Sequence, residues 1–194
     1  MNKKNLLSIV FFFVIIFSLS AQDISNRGHQ QQLKTGVGFV FCGTGDLMGT
    51  SLYSEYHYFY NHYISVSPMI SFMSLKEEGD HLLENENIKN IGTSVYVHPF
   101  NGEDFSFSFG AGVLLRQFNY SVATDITTAY QFEETYIAPG EHYSTTQYGI
   151  GYSIGAGFAF NIAEGVDFSF QEKLQNDTNG NITWDSQIGV IFSF

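Results

Sequence analysis

The chain has 194 residues and a formal net charge of −11, from 8 Lys+Arg against 19 Asp+Glu, with a single cysteine. That balance leaves no basic surface to neutralise phosphates, which excludes nucleic acid as a partner. Lone Cys42 excludes an intramolecular disulfide framework and a cysteine-based zinc site. Twelve Tyr and twenty Phe exclude a disordered acidic chain.

Residues 1–21 read as a secretory signal peptide. Lys3 and Lys4 form a basic start, residues 6–17 an apolar run broken only by Ser8, and residues 18–21 supply small side chains for cleavage after Ser20 or Ala21. The run is shorter than the ~20 residues a spanning helix needs, which disfavours an uncleaved anchor. No cysteine stands at the cleavage site, so the chain is not an acylated lipoprotein. The expected division is a signal peptide at 1–21 and one exported domain at 22–194. That domain holds no later apolar run long enough for a transmembrane helix.

From residue 33 onward the pattern has period two, the signature of strands. Eight segments alternate: 33–41, 50–60, 63–73, 90–98, 105–115, 146–160, 166–173 and 182–194. In 105–115, for example, Phe105, Phe107, Phe109, Ala111, Val113 and Leu115 alternate with Ser106, Ser108, Gly110 and Gly112. Tight connections (Asn61-His62, 99–104, 161–165) alternate with longer ones (43–49, 74–89, 119–145, 174–181). An up-and-down barrel would place the tight turns at one rim and the loops at the other.

Alternation alone does not say whether the apolar face meets a core or lipid, so a soluble lipocalin-like barrel and a β-sandwich are alternatives. Two features favour lipid. Glycines Gly36, Gly38, Gly110, Gly112, Gly149, Gly151, Gly155, Gly157 and Gly189 share the polar parity, where a narrow eight-stranded lumen needs small residues. The apolar parity carries rings near both strand ends: Tyr58, Tyr60, Phe105, Phe160, Phe168, Phe192 and Phe194 towards the tight turns, and Phe72, Tyr148 and Trp184 towards the loops. Such bands are the girdles of a membrane barrel.

The chain ends Gln187-Ile188-Gly189-Val190-Ile191-Phe192-Ser193-Phe194. This resembles the C-terminal assembly signal of bacterial outer-membrane proteins, with Gln187, Gly189, Phe192 and Phe194 in its polar, glycine and hydrophobic places. With the architecture, it makes the chain similar to the small eight-stranded outer-membrane barrel family that includes outer-membrane protein X. The resemblance covers the mature chain as an architecture and the last eight residues as a motif. It implies an all-β, eight-stranded antiparallel transmembrane barrel in the outer membrane, recognised by the barrel-assembly machinery and surrounded by lipid and lipopolysaccharide.

Chemistry is sparse. His142-Tyr143-Ser144 matches the His-x-Ser pair of barrel lipid A deacylases, but Thr145 stands where that family has Asn, and no orienting carboxylate occurs at 145–163. His57, His62 and His98 lack metal-ligand spacing. The sequence therefore assigns no catalytic, cofactor or metal residues and expects no enzyme; a lipid A-modifying barrel or a soluble periplasmic ligand-binding barrel is the alternative. Glu55, Arg116, Lys173 and Asp185 fall on the polar parity and form the expected lumen charge network, with an ion pair between Lys173 and Asp185. The acidic loops at 74–89 and 119–145 are the expected surface for an unknown partner or a repulsive solvated face.

Overall fold

The chain is described by a computed structural model over residues 31–43, 47–78, 82–102, 104–124, 130–132, 135–137 and 140–194; the expected signal peptide at 1–21 lies outside the described residues. The strands are β1 (Gln31–Cys42), β2 (Leu47–Asn61), β3 (Ile64–Glu78), β4 (Leu82–Asn101), β5 (Phe105–Thr124), β6 (Tyr130–Phe132), β7 (Thr135–Ile137), β8 (His142–Ala163), β9 (Val166–Asp177) and β10 (Ile182–Ser193). Eight of them close into an antiparallel barrel in the order β1-β10-β9-β8-β5-β4-β3-β2, while β6 and β7 form a separate two-stranded sheet between β5 and β8.

The seam joins the first strand to the last. Gln31 N–H donates to the Phe194 carbonyl at 3.1 Å, and Phe194 N–H returns a bond to Gln31 at 3.0 Å. These ends share a rim with the turns at 62–63 and 164–165 and with Gly102, whose N–H bonds to the Phe105 carbonyl; Gly165 there takes a φ of +70°, a left-handed value that suits glycine. One row of paired residues shows the stagger. It runs Thr146, Asn119, Asn87, Ser74, Thr50, Phe39, Ser186, Glu172 and returns to β8 at Ala156, ten residues further along. A stagger of that size tilts eight strands by about 35–45° and leaves an interior that side chains can fill.

Each of the eight expected segments lies within a barrel strand, to within one residue at its ends, and in the expected order. The expected loops are shorter. Residues 74–78 pair with 83–87, and 119–123 pair with both 83–87 and 142–146, so most of 74–89 and about half of 119–145 are strand. Residues 174–177 likewise belong to β9. The reason is an inversion of polarity along the strands. On β3 the outward residues pass from Ile70 and Phe72 to Ser74 and Lys76, while the inward ones pass from Ser67 and Ser71 to Met73 and Leu75. On β5 the outward Val113 and Leu115 give way to Gln117 and Asn119, and the inward Arg116 to Phe118, Tyr120 and Val122. The alternation continues with its polarity inverted, so a search for apolar-outward strands stops where the strands do not.

The barrel thus has two tiers. In the lower one an apolar belt faces out and polar groups face in; Phe39, Ile70, Phe109, Ile150 and Phe192 stand exposed on its wall. In the upper one Val40, Cys42, Leu47, Met73, Leu75, Ile88, Phe118, Tyr120 and Val122 pack as an inward apolar cluster, as in a water-soluble protein.

Candidate functional site: a filled lumen under an apolar cap

The four charged residues expected in the lumen, Glu55, Arg116, Lys173 and Asp185, are all buried inside the barrel. Lys173 and Asp185 are directly paired across the β9–β10 ladder. The expected ion pair between them is nevertheless replaced. Lys173 Nζ bonds to Glu55 Oε1 on β2, on the other side of the lumen. The Asp185 carboxylate instead accepts from Ser51 Oγ at 2.7 Å and from Gln187 Nε2 at 2.7 Å. A lysine stem spans the narrow interior, so a carboxylate opposite competes with one beside it, and the two neutral donors satisfy Asp185 where it stands.

Around this pair the bonds spread across the lumen. Tyr96 Oη donates to Glu55 Oε2 at 3.1 Å and accepts from Gln171 Nε2 at 2.8 Å, and Lys34 Nζ bonds to Gln171 Oε1. Two inward tyrosines fix where glycine is required. A Cβ on Gly110 would come 2.3 Å from the Tyr96 ring, and one on Gly189 2.4 Å from Tyr53 Oη. Part of the glycine parity is therefore a set of seats for aromatic rings.

Below this layer, towards the tight turns, Ser65 Oγ lies 2.9 Å from His98 Nε2 and 3.3 Å from His57 Nδ1, and His57 Nε2 lies 3.5 Å from Glu55 Oε2. Above it sits Arg116. Its Nε donates to Asn90 Oδ1 at 3.0 Å, Nη2 to Gln175 Oε1 and Thr183 Oγ1 at 2.8 and 3.0 Å, and Nη1 to the Asn181 carbonyl at 3.1 Å, with Asp177 Oδ2 at 3.6 Å. Asp177 also accepts from the backbone N–H groups of Asn179 and Asn181, which ties the β9–β10 turn to the arginine. The apolar cluster closes the loop-side end above it.

Sequence reasoning left Lys34, His57 and Asp177 out of the network. Lys34 and His57 sit on the polar parity and are legible there, whereas Asp177 lies in the expected connection 174–181 and is in fact the last residue of β9. Glu172, between inward Gln171 and Lys173, points outward into the apolar belt. Of the assembly-signal residues, Gln187 and Gly189 face inward, and Phe192 and Phe194 stand outward at the tight-turn rim. His142 and Ser144, the His-x-Ser pair, are exposed on the outer wall of the upper tier with no hydrogen bond between them. His57, His62 and His98 gather no metal-binding group among the described residues.

An antiparallel eight-stranded barrel, staggered by ten residues, apolar outside and polar inside, decides the architecture. The fold is that of an eight-stranded outer-membrane barrel. No family model matches the chain, and no curated protein does. Among solved structures it is similar to OprG of Pseudomonas aeruginosa (14% identity, 86% of this chain and 96% of that one, TM-score 0.59). It is also similar to Neisserial surface protein A (14% identity, 86% and 97%, TM-score 0.56) and to Ail, the attachment invasion locus protein of Yersinia pestis (13% identity, 86% and 99%, TM-score 0.54).

Proposed function

We propose that the chain is an exported, integral outer-membrane protein without enzymatic activity, with an envelope-structural role and an upper tier presented for surface contact. The observation that carries this reading is the apolar belt on a closed barrel, bounded above by the inversion of polarity on β3, β4 and β5. Apolar surface that continuous is covered by something, and hydrocarbon admits strands only where every backbone group is paired by closure. A soluble periplasmic barrel would carry its apolar face inside. The exposed His142 and Ser144 lend no support to an esterase.

The partners that follow are outer-membrane lipid and lipopolysaccharide around the belt, the barrel-assembly machinery for β10 through Gln187, Gly189, Phe192 and Phe194, and an unknown contact for the upper tier and the connections within 74–89 and 119–145. The test is gel migration of unboiled against boiled protein together with membrane fractionation. Faster migration of the unboiled form and recovery in the outer membrane are expected; identical migration with recovery in the soluble periplasmic fraction would refute the reading. With the lumen filled by Glu55, Lys173, Tyr96 and Arg116, planar bilayers should show no large, steady conductance. Reproducible porin-sized steps would contradict the sealed lumen.

A further inference from the structure

Glu172 is the one charged residue on the outward face of the belt among the described residues. Along β9 the outward positions run Phe168, Phe170, Glu172, Leu174, so the carboxyl has apolar neighbours above and below. Its partners across the two ladders are Ser186 on β10 and Ala156 on β8. One strand further, the same row ends on Phe39 and Phe109, 68% and 52% exposed. Ser186 and Ala156 are the small residues on either side of Glu172, and Phe39, Trp184, Phe109 and the stacked Phe158–Phe170 pair, whose centroids lie 5.2 Å apart, occupy the surrounding positions of the ladders.

The carboxyl is held in a fixed orientation. Trp184 Nε1 donates to Oε2 at 2.6 Å and Ser186 Oγ donates to the same oxygen at 2.8 Å. Oε1 has no hydrogen bond among the described residues. An ionisable group in the hydrocarbon zone is expensive and marks a functional site unless a partner is evident. Among the described residues the wall offers no cationic partner: the buried cations Lys34, Arg116 and Lys173 face the lumen, and the outward Lys76 and Lys89 stand above the belt. A carboxylate held through one oxygen by an indole N–H and a hydroxyl, with the other oxygen unbonded, suits a cation, which gains a charge-assisted contact.

We propose that Glu172, with Trp184, Ser186 and Ala156, forms a lipid-facing site for a hydrophobic ligand carrying one positive charge. This rests on the membrane reading above. Trp184 is the only tryptophan in the chain and touches the carboxyl, so its emission reports the site directly. The experiment titrates dodecylammonium, with dodecanol as the neutral counterpart, into the full barrel reconstituted in phosphatidylcholine vesicles, after flotation and heat-modifiable migration have verified insertion.

Dodecylammonium should shift Trp184 emission saturably and dodecanol should not. Glu172→Gln should weaken the response about tenfold or more, the loss of one charge-assisted contact. Ala156→Leu, which adds bulk beside Glu172 and keeps the carboxylate, should weaken it as well. Inserted protein that responds equally to both amphiphiles, or equally in wild type and both variants, overturns the inference and leaves the membrane reading intact. Protein that does not float with the vesicles overturns both.

Discussion

Removing the lysine from the Glu55–Lys173 pair should be among the most damaging single changes to the barrel. Glu55 is 1% exposed and holds Lys173 on one oxygen and the Tyr96 hydroxyl on the other. Lys173→Met keeps the length and apolar stem, and Met69 Sδ already lies 3.6 Å from the lysine nitrogen, so little packing is lost. What remains is a buried carboxylate without its cation, which costs about 3–5 kcal/mol when burial is complete. Glu55→Gln should cost a comparable amount by stranding the lysine. The double variant, neutral on both sides, should be more stable than the sum of the single losses implies, with a coupling of at least about 2 kcal/mol. Lys173→Met with Asp185→Asn should be additive within about 0.5 kcal/mol, because Asp185 draws on Ser51 and Gln187. Urea unfolding in lipid vesicles, followed by Trp184 emission and gel migration, measures all these variants. A large coupling for 173 with 185 and none for 173 with 55 would refute the cross-lumen pairing.

Seating of the tyrosines gives a second expectation: Gly110→Ala should destabilise by about 1–3 kcal/mol, and by less in a Tyr96→Ala background, measured by the same unfolding assay. The polarity boundary gives a third. Ile70→Arg, within the belt, should cost about 2–4 kcal/mol and Ser74→Arg on the same strand about 0–1, and equal costs would place the boundary elsewhere. Deleting Phe194 removes both backbone bonds to Gln31, and Phe192→Ala removes a ring from the tight-turn girdle. Both changes should lower the folded barrel recovered from the outer membrane, and unchanged amounts would argue against an assembly role for that end.

Strand number, order and the rim carrying the tight turns were legible because lipid and lumen impose opposite polarities on alternate residues of segments such as 105–115 and 146–160. The upper tier was not, because the same rule inverts in water: Met73, Leu75, Phe118 and Val122 keep their parity while the meaning of that parity changes. A continued period of two across 74–78 and 116–122, with the apolar residues moved to the other face, was the available signal. The ladder partner of Lys173 could be read from the hairpin, since neighbours in the chain are neighbours in the sheet. Its ion-pair partner could not, because contacts across a lumen depend on stagger and diameter, which no local pattern encodes. Asp177 was hidden for a further reason. Its neighbours Asn176, Thr178, Asn179 and Gly180 have the composition of a turn, and only the bonds to Asn179, Asn181 and Arg116 reveal it as the peg of that turn.

The inverted upper tier separates what the chain displays from what holds it in place. Its outward side chains, Lys76, Asn87, Asn119 and Thr146 among them, bear on no core, so they are free to change with little effect on folding. Its inward cluster and continuous ladders fix the spacing of the strands from which the loops spring. The barrel thereby carries a pedestal above its apolar belt, on which loops can be lengthened, shortened or exchanged as independent modules while the strands beneath keep their register.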